Sequence, residues 1–162
     1  MVQSWMDNTG LYQKYGVSRT TPTKAGSYRT VGELREVECV IDLTELTETE
    51  TPISDVVFFP VGMKIEQIEI FVDTAAATGV AVDIGLVKSD RSTEIDFDGL
   101  VEAITTATLV AGAKLTLVSG DSFAGNLVGG TTADVGYITA SRTTSTAFTT
   151  GQIRVRIKYS KP

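Results

Sequence analysis

The chain has 162 residues, a formal charge of −6, one cysteine and no histidine. A lone cysteine rules out an intramolecular disulfide. The missing histidine removes the commonest general base and transition-metal ligand, and with them Ser-His-Asp and Cys-His sites. The length fits one domain with an appendage, and the acidic balance argues against a general nucleic-acid binder.

Abundant threonine and glycine, with no long helical period, bias the chain to all-β structure. No run of about 18 apolar residues occurs, and no basic-then-apolar leader opens the chain. Neither a membrane span nor classical secretion is therefore expected.

Residues 1–33 differ from the rest. They have no sustained period and hold Trp5, Leu11, Tyr12, Tyr15 and Tyr28 among Gly, Ser, Thr and Pro22. Residues 1–30 carry Lys14, Arg19, Lys24 and Arg29 against Asp7 alone, a charge of +3 that leaves −9 for the remainder. Such a segment cannot build its own core. A frayed terminus is the plain reading. An arm that orders against a partner or a neighbouring subunit explains the large aromatics better, because Trp and Tyr concentrate at interface centres. Trp5, Leu11, Tyr12, Lys14, Tyr15, Arg19 and Arg29 are the candidate partner contacts.

The folded domain is expected over 34–162. Residues 34–44 alternate Val37, Cys39, Ile41 and Leu43 with Glu36, Glu38 and Asp42, as in a strand with Cys39 on its apolar side. A polar loop follows at 45–51. A short apolar strand at 54–59 stops at Pro60 and Gly62. Phe58 and Phe59, being adjacent, should face opposite ways, one of them at a subunit contact. Residues 63–72 start in one phase (Met63, Ile65) and continue in the other (Ile68, Ile70, Val72), which predicts a bulge at Glu66–Gln67. A small-residue loop is expected at 73–79. A strand at 80–87 should point Val80, Val82, Ile84 and Leu86 inward.

Residues 88–104 hold the one metal-like constellation. Glu94, Asp96, Asp98 and Gly99 resemble the first half of a calcium loop, but position 12 of such a loop would be Thr105 rather than Glu. The alternative is a solvated acidic turn leading into a short helix, with Asp98 as N-cap and Leu100, Val101 and Ile104 at helical spacing. No cofactor is expected. Two further strands should span 105–110 and 113–118. The glycine-rich loop at 120–135 is not a phosphate loop, and a loop this long is commonly functional, so contact with a neighbour around Leu127 is a secondary expectation. A strand at 136–141 and a turn at 143–150 complete the approach to the last strand.

That strand has the clearest alternation in the chain. Ile153, Val155, Ile157 and Tyr159 oppose Gln152, Arg154, Arg156 and Lys158. Antiparallel pairing with 34–44 would set a basic row beside an acidic one, at about 0.2–1 kcal/mol per pair. About eight strands without βαβ units predict an antiparallel β-sandwich, jelly-roll-like because the first and last strands pair. An immunoglobulin-like sandwich is second, since the only Trp lies outside the strands.

The pieces Met6–Gly16 (MDNTGLYQKYG), Asp83-Ile84-Gly85-Leu86 with 93–99 (TEIDFDG), and 136–140 (GYITA) resemble virion proteins of tailed bacteriophages, specifically the head decoration or cement proteins. The resemblance implies a β-sandwich or jelly-roll domain without catalytic residues. It implies an oligomer that binds the outer capsid surface and holds subunits of the major capsid protein together. Exposed arms and free sheet edges fit a homo-oligomer, a dimer or trimer. Multivalent contacts would add avidity. A carbohydrate- or receptor-binding module of a phage tail or spike is the alternative, with Tyr137 and Phe97 as its exposed aromatics. An internal scaffold is disfavoured because those are usually helical and charged. An enzyme is not expected, although Asp96 and Asp98 would be the carboxylate pair of one.

Overall fold

In the computed structural model the first and last strands pair as the charge pattern requires. The structure describes residues 34–49, 51–52, 58–59 and 61–161. The arm expected at 1–33, and most of the strand expected at 54–59, lie outside the described residues. Strand β1 (Leu34–Asp42) runs antiparallel to β9 (Thr150–Ser160), with Glu38 opposite Arg156, Glu36 opposite Lys158 and Cys39 opposite Val155. Between them come β2 (Thr51–Pro52), β3 (Phe58–Phe59), β4 (Lys64–Ala77), β5 (Ala81–Lys88), β6 (Glu94–Thr105), β7 (Lys114–Leu117) and β8 (Gly136–Arg142).

One sheet has the order β1-β9-β4-β7. The other has the order β2-β8-β5-β6, with β3 also on β8. Counting β2 and β3 as one interrupted edge strand, the antiparallel pairs are first with last, second with seventh, third with sixth and fourth with fifth. This is one long hairpin rolled up until β9 meets β4 and β8 meets β5. The fold is an all-β antiparallel sandwich with jelly-roll strand order. Its core lies between the sheets, where Ile41, Ile68, Ile70, Val155 and Ile157 of one meet Ile84, Leu86, Val101, Ile104 and Ile138 of the other.

The bulge at Glu66 is present. Ile65 pairs with Tyr159 and Gln67 with Lys158, leaving Glu66 over and reversing the parity downstream. Four expectations fail. The loop expected at 73–79 is strand as far as Ala77, because Thr74 and Ala77 stay on the β9 ladder despite weak intrinsic preference. The strand expected at 105–110 is a turn, closed by Thr108 N–H and Leu109 N–H to the carbonyls of Thr105 and Thr106, with the Thr105 and Thr108 hydroxyls 3.0 Å apart. The helix expected after Asp98 is strand β6. Val101 pairs with Ile84 and Asp96 with Leu86, so β6 fits extra residues into that interval. Leu100 and Val101, neighbours in sequence, are both buried there. Bulges break strict alternation, and broken alternation imitates helical spacing. Val80 also departs from expectation. It lies just before β5 and is 50% exposed, whereas Val82, Ile84 and Leu86 point inward.

Cys39 is buried among the core residues. Burial, reinforced by the Glu38 charge, pushes its thiol up to about 12, so it stays a protonated small hydrophobe.

Candidate interaction surfaces

The outer face of the β1-β9-β4-β7 sheet carries a charge lattice. Strand β9 lies between β1 and β4, so each of its bases has acids on both sides. Arg156 donates from Nε and Nη2 to Glu38 Oε2 at 3.0 and 2.8 Å. Its other terminal nitrogen lies 3.8 Å from Glu69 on β4. Lys158 turns to Glu69 (3.1 Å), not to Glu36. Arg154 makes a two-pronged bond with Asp73 at 2.7 and 3.0 Å, not with Asp42. Asp42 instead accepts from the backbone N–H and hydroxyl of Thr44, holding the 3₁₀ turn Leu43–Glu45. The acidic and basic rows are thus adjacent, as the alternation implies, but only Arg156 bonds within them at close range. Lys158 and Arg154 go to the β4 side.

Glu69 is the hub. Lys114 of β7 donates to it at 2.7 Å, and the three cations drape it until only 4% of the residue is exposed. Hydrogen bonding to Lys114 comes first among the effects that hold its carboxyl below the ordinary range. Phe71, one outward position along, has Lys114, Arg156 and Arg154 at 5.1, 5.2 and 5.4 Å from its ring centre. Glu69 and Phe71 were absent from the sequence-predicted sites. The parity flip at Glu66 was the signal that would have placed them outward beside β9.

Strand β6 presents a different surface. Asp96 is pushed up to about 6, first by desolvation and then by Asp98. Among the described residues, no three Asp, Glu, Cys or His side chains converge as a metal centre would require, Glu94, Asp96 and Asp98 included.

The loop at 120–135 binds its own fold through two limbs. One lies along β6, with Glu102 N–H to Phe123 O, Gly125 N–H to Leu100 O and Leu127 N–H to Gly99 O. The other lies along the start of β4, where Ile65 N–H bonds Gly130 O and Thr132 N–H bonds Met63 O. Leu127 is half-buried against the core and sits over Gly99. Trp5, Leu11, Tyr12, Lys14, Tyr15, Arg19 and Arg29 lie outside the described residues. Tyr137 is half-buried with the Arg91 guanidinium 4.9 Å from its ring centre, and Phe97 is half-buried on β6. A shallow polar depression lies at one end of the sandwich, lined by Asp42, Thr44, Thr149 and Gln152 among others.

The class defined by this strand order is the jelly-roll β-sandwich. Two solved structures are similar to this fold over most of their length. A chain in the capsid of Ralstonia phage GP4 is 16% identical with a TM-score of 0.55, and the match covers 92% of this chain and 94% of that one. A chain in the capsid asymmetric unit of cyanophage Pam1 is 14% identical with a TM-score of 0.51, covering 88% and 95%. At these identities the likeness is one of fold. No protein-family profile and no curated protein matches the sequence.

Proposed function

We propose that the protein is a structural component of a bacteriophage virion that decorates the outer capsid surface and cements neighbouring subunits of the major capsid protein. The observation that carries this reading is the likeness to chains of two phage capsids. Each match spans most of both chains. The self-satisfied charge lattice and the tied-down 120–135 loop give a rigid body suited to bridging. The anchoring contacts assigned to the partner are Trp5, Leu11, Tyr12, Lys14, Tyr15, Arg19 and Arg29, with Leu127 secondary. The protein acts as a dimer or trimer, and its role is structural rather than catalytic.

Co-sedimentation with undecorated phage heads tests this, using the full chain and a form lacking the first 33 residues. Binding by the full chain alone supports both the cement role and the arm. Equal binding by both moves the contact onto the β domain. Binding by neither, with signal on a glycan array, would replace the proposal with the receptor-binding reading. Arg91 already occupies a face of the Tyr137 ring, which weakens Tyr137 as a sugar platform.

A further inference from the structure

Sheet edges offer rows of unpaired backbone groups, and native folds usually blunt them. Among the described residues the two sheets have four edges, and three of them are blunted. Strand β7 has four residues. The described parts of the β2/β3 edge are two residues long each, and one of them contains Pro52. Strand β6 is bulged and covered by the 120–135 loop at Gly99, Leu100 and Glu102. The fourth edge is β1. It is nine residues long, and its register with β9 runs without a shift from Leu34 to Asp42. Among the described residues no backbone bond reaches the far side of β1 between Glu36 and Asp42.

The outward row of β1 is Glu36, Glu38, Val40 and Asp42. Val40 is 51% exposed. Glu36 has Arg156 only at 3.9 Å, and Asp42 bonds Thr44 rather than a cation. A second copy of β1 would set this acidic row against itself, and like charges across strands are destabilising. The protein's own N-terminal bases fit no better. Lys14, Arg19, Lys24 and Arg29 recur every five residues, an odd spacing that sends successive side chains to opposite faces of a strand.

We propose that the free edge of β1, from Glu36 to Asp42, accepts an extended segment of a partner protein bearing Lys or Arg at alternate positions and apolar residues between them. The bases lie beside Glu36, Glu38 and Asp42. The apolar residues continue the inner row of Val37, Cys39 and Ile41. The four-stranded sheet becomes five-stranded, main-chain bonds supply affinity and the alternation supplies specificity. This holds whether or not the partner is a capsid subunit.

The test is amide hydrogen exchange, read by NMR on the full-length protein at low ionic strength. The probes are a synthetic peptide of alternating Lys and Val and an equal-length peptide of alternating Glu and Val. With the Lys–Val peptide, at about ten times its dissociation constant, the amides within 36–42 that point away from β9 should gain about tenfold protection. The Glu–Val peptide should give none. The variant Glu36→Lys/Asp42→Lys, which keeps the Glu38–Arg156 pair, should reverse the preference, with its melting curve reporting that it folds. Three results overturn the proposal. They are no added protection with either peptide, equal added protection with both, and protection without peptide of those 36–42 amides that point away from β9. In the last case, dependence on protein concentration assigns the edge to a second copy, and independence assigns it to the chain's own N-terminal segment. Failure of head binding leaves this test unaffected.

Discussion

Arg156 faces Glu38 directly across the β1–β9 ladder and donates two hydrogen bonds to a single carboxylate oxygen. The pair joins the two ends of the domain, residues separated by 118 positions in sequence. Because the groups are partly exposed, a double-mutant cycle of Glu38→Ala and Arg156→Ala should give a coupling of about 0.2–1 kcal/mol. Raising salt from about 0.05 M to about 0.5 M should shrink it. Chemical denaturation of the four proteins measures both. Coupling that does not respond to salt would mean packing, not charge, joins the strands.

Glu69 differs from Glu38 because it is covered by its partners. Glu69→Leu should remove the bonds from Lys114 and Lys158 and leave three cations crowded on one face. The expected loss is about 1–3 kcal/mol, larger than for Glu38→Ala. Denaturant midpoints of the two variants decide the order.

Two sets of carboxyls make stability depend on pH in opposite directions. Glu66, Glu69 and Asp73 have folded values held low by their hydrogen-bonded partners. Their stabilisation is present above their unfolded values and is lost as pH falls through the folded ones. Asp96 is raised from 3.8 to about 6, so the folded state keeps a proton that the unfolded chain releases. Its contribution is complete below the unfolded value and is lost as pH rises towards the folded one. Asp96→Asn should therefore stabilise the protein at about pH 7 and flatten the slope between about pH 4 and pH 6. Thermal melts of wild type and variant across that window check the sign. A steeper slope in the variant would contradict the Asp96 assignment.

Gly85 and Gly112 should respond very differently to alanine. A Cβ on Gly85 would collide with the carbonyl oxygen of Asp96 and the carbonyl carbon of Phe97. Those are backbone atoms of the bulged stretch of β6 and cannot rotate away. Gly85→Ala should prevent normal folding or cost several kcal/mol, roughly the tail of the mutational range. Gly112 has φ +79° and open space around it, so Gly112→Ala should cost only about 1–2 kcal/mol of backbone strain. Expression level and melting temperature separate them.

The strands that alternate cleanly were legible in the sequence. β1, β9, the inward Val82, Ile84 and Leu86 of β5, and the bulge at Glu66 all follow from period-two patterning, because one face of each is buried. Strand β6 was not legible. Its alternation is broken by bulges that pack their backbone closely over Gly85 of β5, and a local pattern contains no information about that partner. The first-with-last pairing could be read from opposite charges on two alternating rows. The individual bonds could not, since β9 is central and its cations choose between neighbours on both sides.

The sequence by itself determined the all-β class, the absence of histidine chemistry and a domain joined through its first and last strands. These are properties of composition and local period. Strand packing brings three cations to Glu69, raises the Asp96 carboxyl through desolvation and the nearby Asp98, and seals β6 with the 120–135 loop. Among the described residues it also leaves the far side of β1 without a backbone partner between Glu36 and Asp42. Each depends on which strand lies beside which, a relationship set by rolling the whole hairpin rather than by any single segment.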